Sequence, residues 1–103
     1  MVSPVALLRR QLEVMPEDDD TGLALARALV QAGKGAEALP LYDRLATPGS
    51  GYLETALADL EALAQGDGGD RASRELLGDA YARAGRLQDA MRMYRWLLDH
   101  LGG

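Results

Sequence analysis

The run Leu76-Leu77-Gly78-Asp79-Ala80-Tyr81-Ala82-Arg83-Ala84-Gly85-Arg86-Leu87-Gln88-Asp89-Ala90 decides the fold. Its apolar and small residues keep helical spacing up to Ala84, stop at a glycine, and resume after it. The run therefore reads as the end of one amphipathic helix, a turn, and the start of a second helix. The pattern occurs twice. Leu25, Ala28, Ala32-Gly33, Ala38, Tyr42 and Leu45 recur in order and spacing as Leu77, Ala80, Ala84-Gly85, Ala90, Tyr94 and Leu97. Small Ala residues lie where two helices must cross closely, and a Tyr lies where a pair meets its neighbour. This is how a helical-repeat array is written, each unit burying its apolar face on the next.

Working outward from the two copies, the chain predicts six helices, at about 4–15, 20–32, 35–46, 51–65, 70–84 and 86–100, in one all-α domain over residues 1–103. Ser3-Pro4 supplies an N-cap and a proline at the first helical position, followed by Val5, Leu8, Leu12 and Met15 on one face. Pro16 ends that helix. Glu17 to Asp20 then place acids at the positive end of the next helix, where Asp can cap free N–H groups. Gly33 and Gly85 suit the left-handed position after a helix. Pro40 falls in the second turn of the third helix, a tolerated irregularity. Thr47-Pro48-Gly49-Ser50-Gly51 is the clearest break, and the fourth helix follows with Leu53, Ala56, Leu57, Leu60 and Leu63 as its buried stripe. Gly66 to Asp70 reads as a closing turn and Gly102-Gly103 as a fraying end.

The stretch 76–90, with Tyr94, resembles the tetratricopeptide repeat. The family's Leu-Gly, Tyr, Gly and Ala positions fall on Leu77, Gly78, Tyr81, Gly85 and Ala90, and Tyr94 takes its large aromatic position. The earlier copy is degenerate, with Ala26 for the Gly and Leu29 for the first aromatic. The family's first-helix Trp is replaced in both copies, by Gly22 and Arg74. Gly33 and Gly85 lie 52 positions apart, against a family period of about 34, which leaves roughly one helix and a turn unaccounted for. The resemblance therefore implies a short array of about six helices with one orphan helix, the fourth, between two helix pairs. The first helix likewise resembles the second member of a pair.

It also implies a function. The family uses the inner face of its first helices as a peptide groove, and the matching face carries Leu23, Arg27, Val30 and Gln31 from the second helix. Glu75, Asp79, Ala82 and Arg83 come from the fifth. The expectation is a non-catalytic adaptor or scaffold that binds a protein or peptide there, without the Lys, Asn and Arg clamp that some members use for a C-terminal carboxylate. The alternative is a homodimerising module. On the last helix Ala90, Met91, Tyr94, Leu97 and Leu98 align with the core, leaving Met93 and Trp96 on an adjoining face suited to self-association.

Composition bounds both readings. Charged residues make up 26% of the 103, cysteine is absent, and the formal net charge is −5. Disulfides, thiol nucleophiles and thiolate metal sites are thereby excluded, and no cofactor or metal is expected. An acidic chain is a poor duplex nucleic-acid partner, and five aromatics make single-stranded RNA binding a weak third option. The charge is uneven. Residues 1–70 hold five Lys/Arg against twelve Asp/Glu, whereas residues 71–103 hold six Arg against four acids, a polarity suited to steering or head-to-tail association. No apolar run approaches the roughly 18 residues of a membrane span, and Val5 to Leu8 is too short for a signal core, so a cytoplasmic protein is expected. The only histidine, His100, stands near the end of the sequence, and Ser3, Ser50 and Ser73 lie in no nucleophile elbow. Asp18, Asp20 and Gly22 imitate part of a calcium loop but lack its closing Glu, and capping is the simpler role.

Overall fold

Two helix ends set the architecture. In the computed structural model, which describes residues 2–66 and 71–101, the chain after Ala32 and after Ala84 turns through a left-handed glycine, Gly33 at φ 78° and Gly85 at φ 79°. At each end two backbone N–H groups reach back over the last turn. Gly33 donates to the Val30 carbonyl and Lys34 to that of Leu29; Gly85 donates to Ala82 and Arg86 to Tyr81. These are two copies of one Schellman closure, and only glycine enters that backbone region without a Cβ penalty. The two helix ends thus share one backbone geometry.

The described residues form six helices: α1 (Pro4–Val14), α2 (Asp19–Gln31), α3 (Gly35–Leu45), α4 (Leu53–Gln65), α5 (Arg71–Arg83) and α6 (Leu87–Asp99). Ser3 caps α1 by accepting from the Ala6 N–H, and Asp18 caps α2 at the Thr21 N–H while also accepting from the Thr21 hydroxyl at 2.7 Å. The acids before α2 are therefore helix-terminal groups, as the dipole favours. α3 runs continuously through Pro40. Ser50 shapes the entry to α4, its hydroxyl donating to the Leu45 carbonyl and accepting from the Tyr52 N–H. The closing turn expected at Gly66 to Asp70 lies, beyond Gly66, outside the described residues, as does the Gly102-Gly103 end.

α2 with α3, and α5 with α6, make the two most extensive pairs. α1 packs on α2, α4 on α5, and α3 touches both α4 and α5. The core runs through all of these contacts. Leu25, Ala26 and Leu29 of α2 meet Ala38, Tyr42 and Leu45 of α3; Ala56, Leu57, Leu60 and Ala64 of α4 continue into Leu77, Ala80 and Tyr81 of α5. Buried alanines at 26, 38, 56, 80 and 90 let the helix axes approach closely.

Gly78 does so most severely, because a Cβ there would lie 2.8 Å from Cε1 of Tyr94. α6 crosses α5 at that point with the Tyr94 ring laid over bare backbone.

Three expectations about facing are corrected. Met15, placed on the core face of the first helix, is 61% exposed, because α1 has already ended at Val14. Met91 and Leu98, placed in the core face of α6, are 48% and 67% exposed. The apolar arc of α6 is wider than one packed neighbour covers. α5 takes the edge bearing Ala90, Met93 and Tyr94, leaving Leu87, Met91 and Leu98 outside.

Candidate functional site

The two helix pairs satisfy their second-helix tyrosines differently, and the difference organises the surface. In the second pair the Tyr94 hydroxyl donates to Asp79 of its own partner helix at 2.6 Å. The position matching Asp79 in the first pair is Arg27, which offers no acceptor. There α4 supplies the carboxylate. Tyr42 donates to Asp59 at 2.8 Å, and Arg27 grips the same carboxylate through Nε at 2.8 Å and Nη2 at 3.2 Å. Burial alone would push the Asp59 carboxyl up, but the bonds from Arg27 and Tyr42 and the Arg27 charge outweigh it and hold it below its ordinary value.

Burial and the Asp59 bond push the Tyr42 phenol far above the usual range. For Tyr94 the bond to Asp79, followed by burial, pushes it up to about 12. A raised phenol stabilises the fold fully below the unfolded value near 10 and ceases to do so as pH rises through the folded value. Urea midpoints should therefore fall between about pH 10 and 12, and Tyr94→Phe should flatten that fall. An unchanged slope in the variant would show that the Tyr94–Asp79 bond contributes nothing.

Arg83 is also engaged within the chain. Its Nη1 lies 2.7 Å from the Asp43 carboxylate and donates to the Asp43 and Ala46 carbonyls, so it closes the carboxyl end of α3. Both arginines on the expected partner-binding face thus carry tertiary contacts. Reversing either charge would disturb the fold as well as any partner.

The expected face is divided between two clefts. Arg27, Val30 and Gln31 open onto a cleft of about 380 Å³ whose opposite wall is Asp59, Ala62 and Leu63 of α4. Leu23 and Val30 are half-buried and pack against the core. Glu75, Asp79 and Arg83 lie instead on a shallow groove of about 490 Å³ between α3 and α5. Its floor is apolar, from Leu39, Pro40 and Leu76, and its rim is acidic, from Asp43, Glu75 and Asp79 with Arg83 as the single cation. Pro40 has no N–H, so the Ala36 carbonyl on the same groove loses its usual donor four residues on.

On the far side of α6, Met93 packs against the core, and Trp96 is half-buried. The Trp96 ring stacks on His100, with ring centres 3.7 Å apart, and the Arg74 guanidinium lies 4.1 Å from its centroid. The Trp96 carbonyl oxygen accepts a hydrogen bond from His100 Nδ1–H at 2.7 Å. The apolar surface that α6 does leave exposed is a different one, formed by Leu87, Met91 and Leu98 and continued by Leu101.

The partners Asp59, Asp43, Leu39 and Pro40 were not foreseen from the sequence. Asp59 had a signal: it stands in α4 with Leu60 and Leu63, and an acid beside a buried stripe invites a cation or hydroxyl opposite. Nothing in the spacing shows that α3 and α5 form one groove. Among the described residues no three His, Cys, Asp or Glu side chains are grouped to hold a metal ion, and no helix is long and apolar enough to cross a membrane. Comparison of the chain with protein-family models, with curated proteins and with solved structures gives no match.

Proposed function

We propose that the chain is a non-catalytic, tetratricopeptide-like interaction module that receives a segment of another protein in the α3–α5 groove. The observation that carries this reading is the groove itself: a space of about 490 Å³ with an apolar floor beneath an acidic rim, between two helices that Arg83 links. Such a surface gains from burying apolar side chains and discriminates by charge at its edge, which is how a helix or extended peptide is read. The groove gathers Glu75, Asp79 and Arg83 of the expected binding face; Leu23, Arg27, Val30 and Gln31 lie outside it and serve the α2–α4 side. The cysteine-free composition suits work in the cytoplasm.

Selection of peptides from a random display library on the immobilised domain tests this. Selected peptides should shift the amide resonances of α3 and α5 and lose at least tenfold in affinity against Ala36→Lys/Glu75→Lys, two exposed positions on the groove. Failure to select any binder, or shifts confined to other helices, would reject the groove. A second reading, homodimerisation through the last helix, is supported by the stripe that Leu87, Met91, Leu98 and Leu101 leave exposed, rather than by Met93 and Trp96.

A further inference from the structure

The α3–α5 groove keeps more negative charge than its internal contacts neutralise. Asp43 is matched by Arg83 at 2.7 Å, so that pair is electrically closed. Asp79 is different. Its bond at 2.6 Å comes from the Tyr94 phenol, an uncharged donor, which leaves the carboxylate its full charge and lone pairs to spare. Arg83, one turn further along α5, spends its contacts on α3 and forms no ion pair with Asp79. Glu75, one turn before Asp79, is exposed, and among the described residues neither it nor Arg71, a turn earlier still, has an ion-pair partner. Two uncompensated carboxylates thus stand at i and i+4 on one helix face, where like charges repel and a cation seated between them relieves both.

The backbone adds a third acceptor. Pro40 has no N–H, so the Ala36 carbonyl on the same groove lacks the donor that a helix places four residues on. All three acceptors border the floor of Leu39, Pro40 and Leu76. Between Ala72 and Arg83 the groove follows about three turns of α5, or about 16 Å. An extended chain laid there would bring an N–H and a C=O from every residue over an apolar floor, and two helices offer it no strand edge. A helix satisfies its own backbone and needs only side chains to meet the groove.

We infer that the occupant of the groove is a cationic amphipathic helix of another protein, its apolar stripe on Leu39, Pro40 and Leu76, with a Lys or Arg seated between Glu75 and Asp79 and a further side-chain donor on the Ala36 carbonyl. It rests on the groove being a binding surface, and it names the class of partner. A neutral helix would cover the same floor but leave the two carboxylates repelling each other, and an acidic one would add a further like charge.

A helix-biased display library tests it, with leucines fixed at i, i+3 or i+4, and i+7, and the edges of that stripe randomised among Lys, Arg, Glu and Gln. Selection on the wild-type domain should enrich Lys and Arg over Glu at the edges. The winning peptide, made synthetically, should shift the amides of α3 and α5 and bind more weakly as salt rises. It should lose about tenfold in affinity for Glu75→Gln/Asp79→Asn, and about threefold for Glu75→Gln alone. Asp79→Asn keeps an oxygen for the Tyr94 hydroxyl, and helicity and urea midpoint check its folding; where the double variant does not fold, the library composition and Glu75→Gln decide. Glu13→Gln, on α1, should change nothing, which separates the groove from the general attraction of an acidic chain for a cationic peptide. Winners that shift α3 and α5 but carry Glu or Gln at their edges, or that bind the Glu75 variants as well as wild type, overturn the inference and leave the peptide reading standing. No winner at all, or shifts confined to other helices, rejects the groove and the inference with it.

Discussion

Leu60→Ala should lower the stability of the whole domain by about 2–5 kcal/mol, the range for truncating a buried leucine where the surroundings cannot collapse. Leu60 has no exposed surface and sits on α4 between Leu57 and Ala64, which are also buried. α4 is the helix that joins the two pairs: it carries Asp59 to Tyr42 and Arg27 on one side and packs along α5 on the other. A cavity there cannot be filled by one pair relaxing without shifting the other. Against the roughly 5–15 kcal/mol that small domains possess, the loss is a large fraction of the total. It should appear as a lower urea midpoint with an unchanged slope, since the surface exposed on unfolding is the same. A loss below 1 kcal/mol would mean that α4 is not held against both pairs.

The second large effect is expected at Gly78. Valine there would put Cβ 2.8 Å from Cε1 and 3.2 Å from Cδ1 of Tyr94, with Cγ of Met93 at 3.4 Å. Glycine is a poor helix former, so valine gains a few tenths of a kcal/mol in propensity. The clash should outweigh that gain, costing about 1–3 kcal/mol through displacement of a ring and of the helix behind it. The ring cannot simply swing away, because its hydroxyl is tied to Asp79. Gly78→Val combined with Tyr94→Ala should consequently cost less than the two single changes added together, and thermal midpoints of the four proteins measure the difference. Strict additivity would show that the close approach of α5 and α6 does not depend on this contact.

How much of this was readable beforehand follows from the range of each interaction. Six helices, their Ser3 and Asp18 caps and the paired glycine closures depend on neighbours within a few residues, and the sequence states those directly. Gly78 and Tyr94 are each marked by the resemblance, but their close approach is not. What α6 buries is not written locally, because a wide apolar arc carries no mark of which half a neighbour will take; Met91 and Leu98 differ from Met93 and Tyr94 only through the placement of α5. Arg27 and Arg83 looked available for a partner since their acids, Asp59 and Asp43, lie 32 and 40 positions away. Such pairings follow from the packing of α3, α4 and α5, not from any local pattern.

The borrowed carboxylate at Asp59 means that the two helix pairs are not interchangeable parts. Residues 71–99 form a unit whose tyrosine finds its acceptor inside the unit, so a tandem copy of that segment would bring this hydrogen bond with it. A copy of residues 19–45 would not. Duplicated without 53–65, the first pair would present Tyr42 and Arg27 to a neighbour with no acid between them, and a longer array built from it would fail at every joint. An engineer extending this protein should therefore take the second pair as the brick and keep α4 as the fixed end piece of the first.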